Sequence, residues 1–149
     1  MFFYNLFIMT KLKEFIQLEG ENVLTQIEGN AYNADPNPIA QLVASIAKIF
    51  WVIFGIKWVT YVIVTNLRIV QVEKKTILWG ILPGATNVLT LNKATIQSVG
   101  YAMASRWFIF RQYYFLLANA SGTLRITYKG SGDALAKACQ IVDSVVTQK

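Results

Sequence analysis

The stretch "YVIVTNLRIVQVEKK", residues 61–75, decides the fold. Two runs rich in β-branched residues meet at Thr65-Asn66, and such runs are typical of β-strands. Asparagine tolerates positive φ, and its side chain can close a tight turn. The pattern therefore predicts a hairpin that turns at Asn66, with Glu73-Lys74-Lys75 as the next turn.

More strand-like runs lie on both sides of this hairpin. Upstream, "ENVLTQIEG" (21–29) alternates apolar and polar residues, as a half-buried strand does. Downstream, strands are predicted at "TILWGIL" (76–82), "ATNVLTLN" (85–92), "TIQSVGYAM" (95–103), "WFIFRQYYFLLA" (107–118) and "TLRITYK" (123–129). Turns are expected near Ala104-Ser105 and over 119–122. Because the connections are short, neighbouring strands should be antiparallel.

Three segments have the apolar spacing of helices. "TKLKEFIQL" (10–18) predicts an amphipathic N-terminal helix, and the apolar run over 38–55 predicts a helix with a narrow polar stripe. "NADPNP" (33–38) predicts the loop before it. "ALAKACQIVDSVV" (134–146) predicts a closing helix whose buried face consists of Leu135, Ala138, Cys139, Val142, Val145 and Val146.

Composition bounds the class of protein. A chain of 149 residues is long enough for one domain with a real core and too short for two. Hydrophobic residues make up 54%, charged residues 15%, and the mean hydropathy is +0.40. These values lie on the apolar side of ordinary soluble proteins. We therefore expect one folded copy to leave apolar surface that another subunit or lipid covers.

The net charge of +6 is unevenly placed. Residues 1–35 are acidic overall, whereas residues 36–132 carry ten Lys or Arg against the single carboxylate of Glu73. A basic middle favours anionic partners: phospholipid head groups, an acidic protein surface or nucleic acid. Nucleic acid is the least favoured, because Arg106, Trp107 and Arg111 have no further basic and aromatic cluster beside them.

The residue types exclude most catalytic chemistry. Histidine is absent and Cys139 is the only cysteine, so Ser-His and Cys-His pairs and the usual zinc sets cannot form. Glu73 has no second carboxylate nearby in sequence for paired acid and base catalysis. We therefore predict a protein that is not an enzyme and has no cofactor or metal site. An intrachain disulfide is impossible, which favours a reducing compartment.

The hairpin also carries a resemblance. "YVIVTNLRIV" resembles the Thr-Asn-x-Arg hairpin of bacterial pleckstrin-homology domains, with Tyr61, Thr65, Asn66 and Arg68 at matching positions. "LTLNKATIQSV" (89–99) is similar to the family's strand-entry segment, and "EGENVL" (19–24) to its acidic Gly-Glu piece. The likeness spans about residues 19–148. It implies a pleckstrin-homology-like (PH-like) α+β fold, which is a bent, mainly antiparallel sheet or barrel of about seven strands capped by a C-terminal helix.

The resemblance also implies a domain organisation and a kind of function. We expect an N-terminal helical segment over 1–18 and a single PH-like domain over 19–149, with an apolar helical insertion at 36–57. Membership of this family implies binding or assembly and not a reaction. In the hairpin, Arg68 is expected to fix a turn or a carbonyl group rather than to contact a ligand.

One departure from the family concerns the membrane. Many membrane relatives carry two transmembrane helices before the hairpin, and the segment over 36–60 is too short for two spans of about twenty residues each. A single span is marginal, because Lys48 opposes insertion by about 2.5–3.5 kcal/mol. It would also separate the strand over 22–28 from its sheet. Three placements of 39–56 stay open: spanning a membrane, lying on it, or buried in protein.

Self-association is the leading functional hypothesis. In "WFIFRQYYFLLA" both faces of the strand are apolar, and the helix over 38–55 is apolar around most of its circumference. We therefore predict a scaffolding module that forms homo-oligomers. The residues expected at the contact are Ile46, Ile49, Phe50, Ile53, Phe54, Phe108, Phe110 and Tyr114.

The alternative is a membrane-attached module, peripheral or single-span through 39–58. Its expected contacts with anionic lipid or an anionic partner are Lys57, Trp58, Lys74, Lys75 and Trp79. Here the opposing interpretation is a solvated turn at Lys74-Lys75 and a core position for Trp79. Both hypotheses predict a cytoplasmic protein, and the alternative places it at the cytoplasmic face of a membrane.

Overall fold

The computed structural model describes residues 12–33, 46, 47, 49–106, 109–120 and 122–148. In this part of the chain seven antiparallel strands form one sheet, and a long helix follows them. The fold is therefore α+β and mainly antiparallel β. The strands are β1 (Val23–Asn33), β2 (Lys57–Thr65), β3 (Ile69–Ile77), β4 (Leu82–Leu91), β5 (Ile96–Arg106), β6 (Phe110–Asn119) and β7 (Gly122–Tyr128). Their order across the sheet is β4-β3-β2-β1-β7-β6-β5.

The hairpin of β2 and β3 has the predicted first turn but not the second. The two strands pair from Val64↔Ile69 to Lys57↔Thr76. The turn predicted at Glu73-Lys74-Lys75 is wrong, because β3 continues through these residues as far as Ile77. The lysine side chains have partners on the two faces of the sheet: Lys74 forms an ion pair with Glu14 of the N-terminal segment, and the Lys75 ammonium lies over the ring of Trp58 in β2.

The chain turns instead at a short 3-10 segment, Leu78–Gly80. The strand predicted over 76–82 is therefore divided between the end of β3, this turn and the start of β4. The short strand predicted over 85–92 is part of β4, which pairs with β3 from Ile69↔Leu91 to Ile77↔Leu82. At the other edge, β5 runs to Arg106, beyond the turn predicted near Ala104-Ser105.

β1 joins the two halves of the sheet. Its first part pairs with β2 and its second part with β7, and Gly29 pairs with a residue in each: Thr60 and Tyr128. A Cβ atom at Gly29 would lie 1.9 Å from the carbonyl oxygen of Thr127. Only glycine permits the backbones to approach this closely, so this residue sets where the pairing changes from β2 to β7.

The main core lies between the sheet and α2 (Gly132–Thr147). Ser131 caps this helix, since its side chain accepts a hydrogen bond from the backbone N–H of Ala134 at 3.3 Å. The face predicted for the helix is confirmed, with Val146 half-buried at its margin and Leu135, Ala138, Cys139, Val142 and Val145 buried. From the sheet, the core receives Ile27, Val62, Val64, Ile69, Phe115, Leu117 and Ile126.

A second, smaller cluster covers the opposite face of β2 and β3. Leu12 and Phe15 pack there against Tyr61, Ile63 and Val72. The N-terminal helix predicted over 10–18 is wrong in its described part, because residues 12–18 contain only a turn at 13 and 14. The reason is tertiary. Leu12 and Phe15 pack on the sheet, the carbonyl oxygen of Ile16 accepts a hydrogen bond from Arg68, and the N–H of Leu18 donates to the side chain of Glu21.

The described part of the apolar insertion is only partly helical. Residues 46, 47 and 49–53 form a helix, α1, whereas residues 54 and 55 form a turn and Lys57 begins β2. The helix therefore ends before residue 55, where the sequence predicted its end. Its predicted beginning over 38–45, residues 34–38 of the loop predicted over 33–38 and residues 1–11 lie outside the described residues. Asn33, predicted to begin that loop, is instead the last residue of β1. Within the described part of the chain, no helix is both long enough and apolar enough to cross a membrane.

Candidate docking surface

Exposed apolar side chains gather around α1 and the turn between β3 and β4. From Ile49 to Phe54 every residue is exposed, by 37% to 74%. Trp58 at the start of β2 and the 78–82 connection add further exposed apolar residues. We call this surface the apolar platform; it consists of Ile46, Ile49, Phe50, Trp51, Val52, Ile53, Phe54, Trp58, Leu78, Trp79, Ile81 and Leu82.

The platform is one surface because α1 is attached to the turn by its backbone. The N–H of Leu78 donates to the carbonyl oxygen of Phe54 at 3.2 Å, and the N–H of Trp79 donates to that of Gly55 at 2.8 Å. Gly55 has φ +60°, and a Cβ atom there would lie 2.5 Å from the Trp79 ring. Glycine is therefore required both for the turn that ends α1 and for the ring of Trp79 to lie against it.

The turn itself carries backbone strain. Leu78 has φ 52° and Trp79 has φ 55°, which is the left-handed region that non-glycine residues rarely adopt. Each such residue costs about 1–2 kcal/mol. Strained positions of this kind cluster at binding sites, where other contacts hold them. In this conformation Trp79 is 72% exposed on the platform.

Basic and aromatic side chains meet at one margin of the platform. The ring centroids of Trp51 and Trp58 are 5.4 Å apart, and the Lys75 ammonium lies 5.7 Å from the centroid of Trp58. Lys74 points to the other face of the sheet, where its Nζ lies 2.7 Å from Oε2 of Glu14. Lys57 is exposed, but it precedes Trp58 in β2, and consecutive strand residues point to opposite faces. Of the residues predicted for an anionic partner, the structure thus gathers Trp58, Lys75 and Trp79, but not Lys57 or Lys74.

The residues predicted for self-association are divided between two places. Ile46, Ile49, Phe50, Ile53 and Phe54 belong to the platform. Of the predicted strand residues, Phe110 and Tyr114 belong to β6, near the opposite edge of the sheet.

Within that hairpin the aromatic residues differ. Phe110 is 68% exposed beside the exposed Ile109, and Phe108 lies outside the described residues. Tyr114 is buried, and the guanidinium of Arg125 lies 4.1 Å from its ring centroid. Tyr114 is therefore not available to a partner in this conformation, which corrects its predicted place at a contact.

The hairpin residues Thr65, Asn66 and Arg68 form a polar network around Glu21. Nε of Arg68 donates to Oε1 of Glu21 at 2.9 Å, and the Thr65 hydroxyl donates to the same oxygen at 2.8 Å. The backbone N–H of Leu18 donates to Oε2 at 2.7 Å. Bonding to Arg68 lowers the pKa of the buried Glu21 to about 2.

The same network fastens the segment before β1. Nη2 of Arg68 donates to the carbonyl oxygen of Ile16 at 2.8 Å, and Nδ2 of Asn66 donates to that of Gly20 at 3.1 Å. Tyr61 packs on this segment from β2, where burial raises its pKa. The side chains of Thr65, Asn66 and Arg68 form their hydrogen bonds with residues of the same chain. The hairpin turn therefore has a structural role in this conformation and does not present these groups to a ligand.

The remaining polar groups offer little chemistry. A surface hollow of about 270 Å³ is lined by Gln71, Glu73, Asn87, Val88 and Leu89. In it Nε2 of Gln71 donates to Oε1 of Glu73 at 2.8 Å, so the carboxylate is already engaged. The described residues contain no group of three or more His, Cys, Asp or Glu placed to hold a metal ion. Burial raises the pKa of the Cys139 thiol to about 11, which disfavours the reactive thiolate.

Sequence reasoning missed part of the platform. Val52, Leu78, Ile81 and Leu82 were not among the predicted contact residues, although "TILWGIL" is a continuous apolar run. The available signal was Gly80 within that run, since glycine often marks a turn. Glu21 was also missed as the partner of Arg68, because they are far apart in sequence and no local pattern links them.

Comparison of the chain with protein-family models, with curated proteins and with solved structures found no match in any of the three.

Proposed function

We propose that this chain is a non-enzymatic, PH-like binding module that acts by attachment through its apolar platform. The support for the PH-like assignment is the seven-stranded antiparallel sheet, the C-terminal helix packed on it and the Thr-Asn-x-Arg hairpin at Thr65–Arg68. The proposed absence of catalysis agrees with the engagement of both Glu21 and Glu73 by neighbouring side chains.

One observation carries the proposal: every residue from Ile49 to Phe54 is exposed. With 3.6 residues per turn, consecutive positions point to all sides of a helix. A helix packed against the sheet would be exposed on one side only. A helix that is apolar around most of its circumference is typical of surroundings that are themselves largely apolar. The platform therefore needs a partner that covers α1.

Charge and aromatic content favour the surface of an anionic membrane as that partner. Tryptophan is suited to the membrane interface because its ring is apolar and its N–H is polar. Trp51, Trp58 and Trp79 are all exposed on the platform, with the Lys75 ammonium over the ring of Trp58 and Lys57 exposed at the start of β2. Lysines next to a lipid-facing apolar surface attract anionic head groups. In a symmetric contact between two copies, the same lysines would add like charge to the interface.

Vesicle flotation tests this proposal. The protein should float with vesicles of phosphatidylcholine and phosphatidylserine at low salt, and less with phosphatidylcholine alone. The double variant Phe50→Lys/Ile53→Lys should remain in the buffer, because it places charge on the part of α1 that would enter the lipid. Leu67→Lys is the matched control, since Leu67 is 49% exposed and Phe50 54%, but Leu67 lies in the hairpin turn away from the platform.

The basic residues make a second, graded test. A basic residue near an anionic surface contributes about 1 kcal/mol, so Lys57→Glu/Lys75→Glu should weaken binding to anionic vesicles at least about tenfold. Binding to neutral vesicles should change much less. Wild-type protein that stays in the buffer with every vesicle, while folded by circular dichroism, would contradict the membrane proposal.

Self-association is the second candidate, and the exposed Ile109 and Phe110 favour it. They form a second apolar surface at the opposite edge of the sheet from the platform, and one flat membrane contact leaves such a surface uncovered. Light scattering without lipid tests this candidate. A mass that falls to that of one chain in Ile109→Lys/Phe110→Lys, but not in Leu67→Lys, would assign these two residues to contacts between copies.

A further inference from the structure

β4 is an edge strand that is open on both faces. It pairs with β3, and no other strand of the described chain pairs with it. From Leu82 to Thr90 the side chains are exposed on both faces, apart from the half-buried Gly84. An edge strand presents unpaired N–H and C=O groups along its free side. β4 therefore offers a row of unused backbone hydrogen bonds with no cover above or below.

Natural sheets protect such edges with charge, proline or a covering element. No charged residue occurs between Lys75 and Lys93, so β4 lacks the first of these devices. Pro83 lies near the start of the strand, and the pairing with β3 becomes irregular between Lys74 and Thr76. The regular part of the edge consequently extends from about Ala85 to Leu91.

The opposite edge of the sheet is protected differently. α2 packs against β5, and Sγ of Cys139 lies 3.5 Å from the carbonyl oxygen of Gly100 in that strand. The two edges thus differ, and only β4 combines exposure on both faces with a neutral sequence.

We propose that β4 pairs with β4 of a second copy, antiparallel and about a two-fold axis at Val88. The axis stands perpendicular to the sheet, so each residue meets one from the same face. Val88 is the midpoint of the regular part of the edge, and it faces Val88 of the second copy. Thr86 then faces Thr90 of the second copy, and Asn87 faces Leu89 of the second copy.

This register is self-complementary. Val88 pairs with Val72 within one chain, so the dimer has a continuous row of four valines, Val72–Val88 of one copy followed by Val88–Val72 of the other. Pairs of β-branched residues and Thr–Thr pairs across strands each contribute roughly 0.2–1 kcal/mol. No like charges meet, because β4 has none. The second copy therefore continues the sheet without placing like charges opposite each other.

The inference stands apart from the membrane contact, because it uses a different surface and is measured without lipid. In light scattering, the wild-type protein should have the mass of two chains. Val88→Lys and Val88→Glu should each reduce it to one, since like charges would face each other across the axis. An equal mixture of the two variants should restore the mass of two chains, because Lys then faces Glu.

Two controls separate this contact from the others. Ile109→Lys changes an exposed apolar residue at the opposite edge of the sheet and should leave the mass at two chains. Phe50→Lys/Ile53→Lys should also leave it unchanged, and a reduction there would place the contact on the platform instead. A wild-type mass of one chain, unchanged mass in folded Val88→Lys, or a mixture that does not recover would each overturn the inference.

Discussion

Glu21 and Arg68 show how a few residues decide the local structure. The carboxylate is buried, yet each oxygen accepts hydrogen bonds, from Arg68 and Thr65 on one side and from Leu18 on the other. A buried charge is tolerated only when it is paired and hydrogen-bonded. By contrast, the Glu14–Lys74 pair is about one-third exposed at both side chains, so its contribution is much smaller.

The stability should depend on pH through Glu21. Its pKa is about 2 in the folded chain against 4.5 when unperturbed, so below pH 4.5 the unfolded chain binds the proton more readily. The contribution of Glu21 is present above about pH 4.5 and is lost as the pH falls towards 2. Glu21→Gln should lose about 2–3 kcal/mol of the free energy of unfolding at pH 7 and show a weaker acid dependence. Urea unfolding over this pH range measures both effects.

Glu14→Gln is the matched control for this experiment, because it removes a carboxylate from the same segment. It should cost less than about 1 kcal/mol at pH 7 and retain most of the acid dependence. An equal effect of the two substitutions would show that burial of Glu21 does not determine its contribution.

The turn between β3 and β4 is the element on which the platform depends. Leu78, Trp79 and Gly80 all have positive φ, and only the last is glycine. Gly55 has positive φ too, but its surroundings differ from those of Gly80. A Cβ atom at Gly55 would clash with Trp79, whereas one at Gly80 would meet no atom within 4 Å.

Two alanine substitutions separate backbone strain from steric contact. Gly80→Ala should destabilise the protein by about 1 kcal/mol through its positive φ alone. Gly55→Ala should cost a further 1–3 kcal/mol or so, because Trp79 must move. Urea unfolding measures the difference, and a change in tryptophan fluorescence is expected in Gly55→Ala only. Equal losses with unchanged fluorescence would contradict the contact between Gly55 and Trp79.

At the scale of the whole molecule, the apolar residues divide into two enclosed clusters and two open surfaces. The core under α2 and the cluster under residues 12–15 are enclosed. The platform and the tip of the β5–β6 hairpin are open, and they lie towards opposite edges of the sheet. The high apolar content of the sequence thus comes in part from exposed apolar side chains and not from an unusually large core.

Two phenylalanines of β6 test this division. Phe115 is fully buried and Phe110 is 68% exposed. Phe115→Ala should lower the free energy of unfolding by about 3–5 kcal/mol, and Phe110→Ala by less than about 1 kcal/mol. Urea unfolding followed by circular dichroism compares them. A large loss in Phe110→Ala, in protein shown to be monomeric, would mean that the hairpin tip is enclosed within one copy.

The sequence by itself determined those strands and helices in which apolar residues recur at a regular spacing. The alternation of apolar residues in β1, the β-branched runs of β2 and β3, and the helical spacing of α2 reflect burial of one face, which is a local property. The Thr-Asn-x-Arg pattern likewise located the first turn. Much of the platform could be predicted too, because its residues form a long apolar run.

Only the tertiary structure decided which apolar residues are covered. Tyr114 and Phe110 are alike in sequence, but Arg125 lies over one ring and the other is exposed. Residues 12–18 have helical spacing, but bonds to Arg68 and Glu21 hold them flat on the sheet. These outcomes depend on contacts between residues distant along the chain, which no local pattern records. The open edge of β4 follows for the same reason, because the order of strands is a property of the whole sheet.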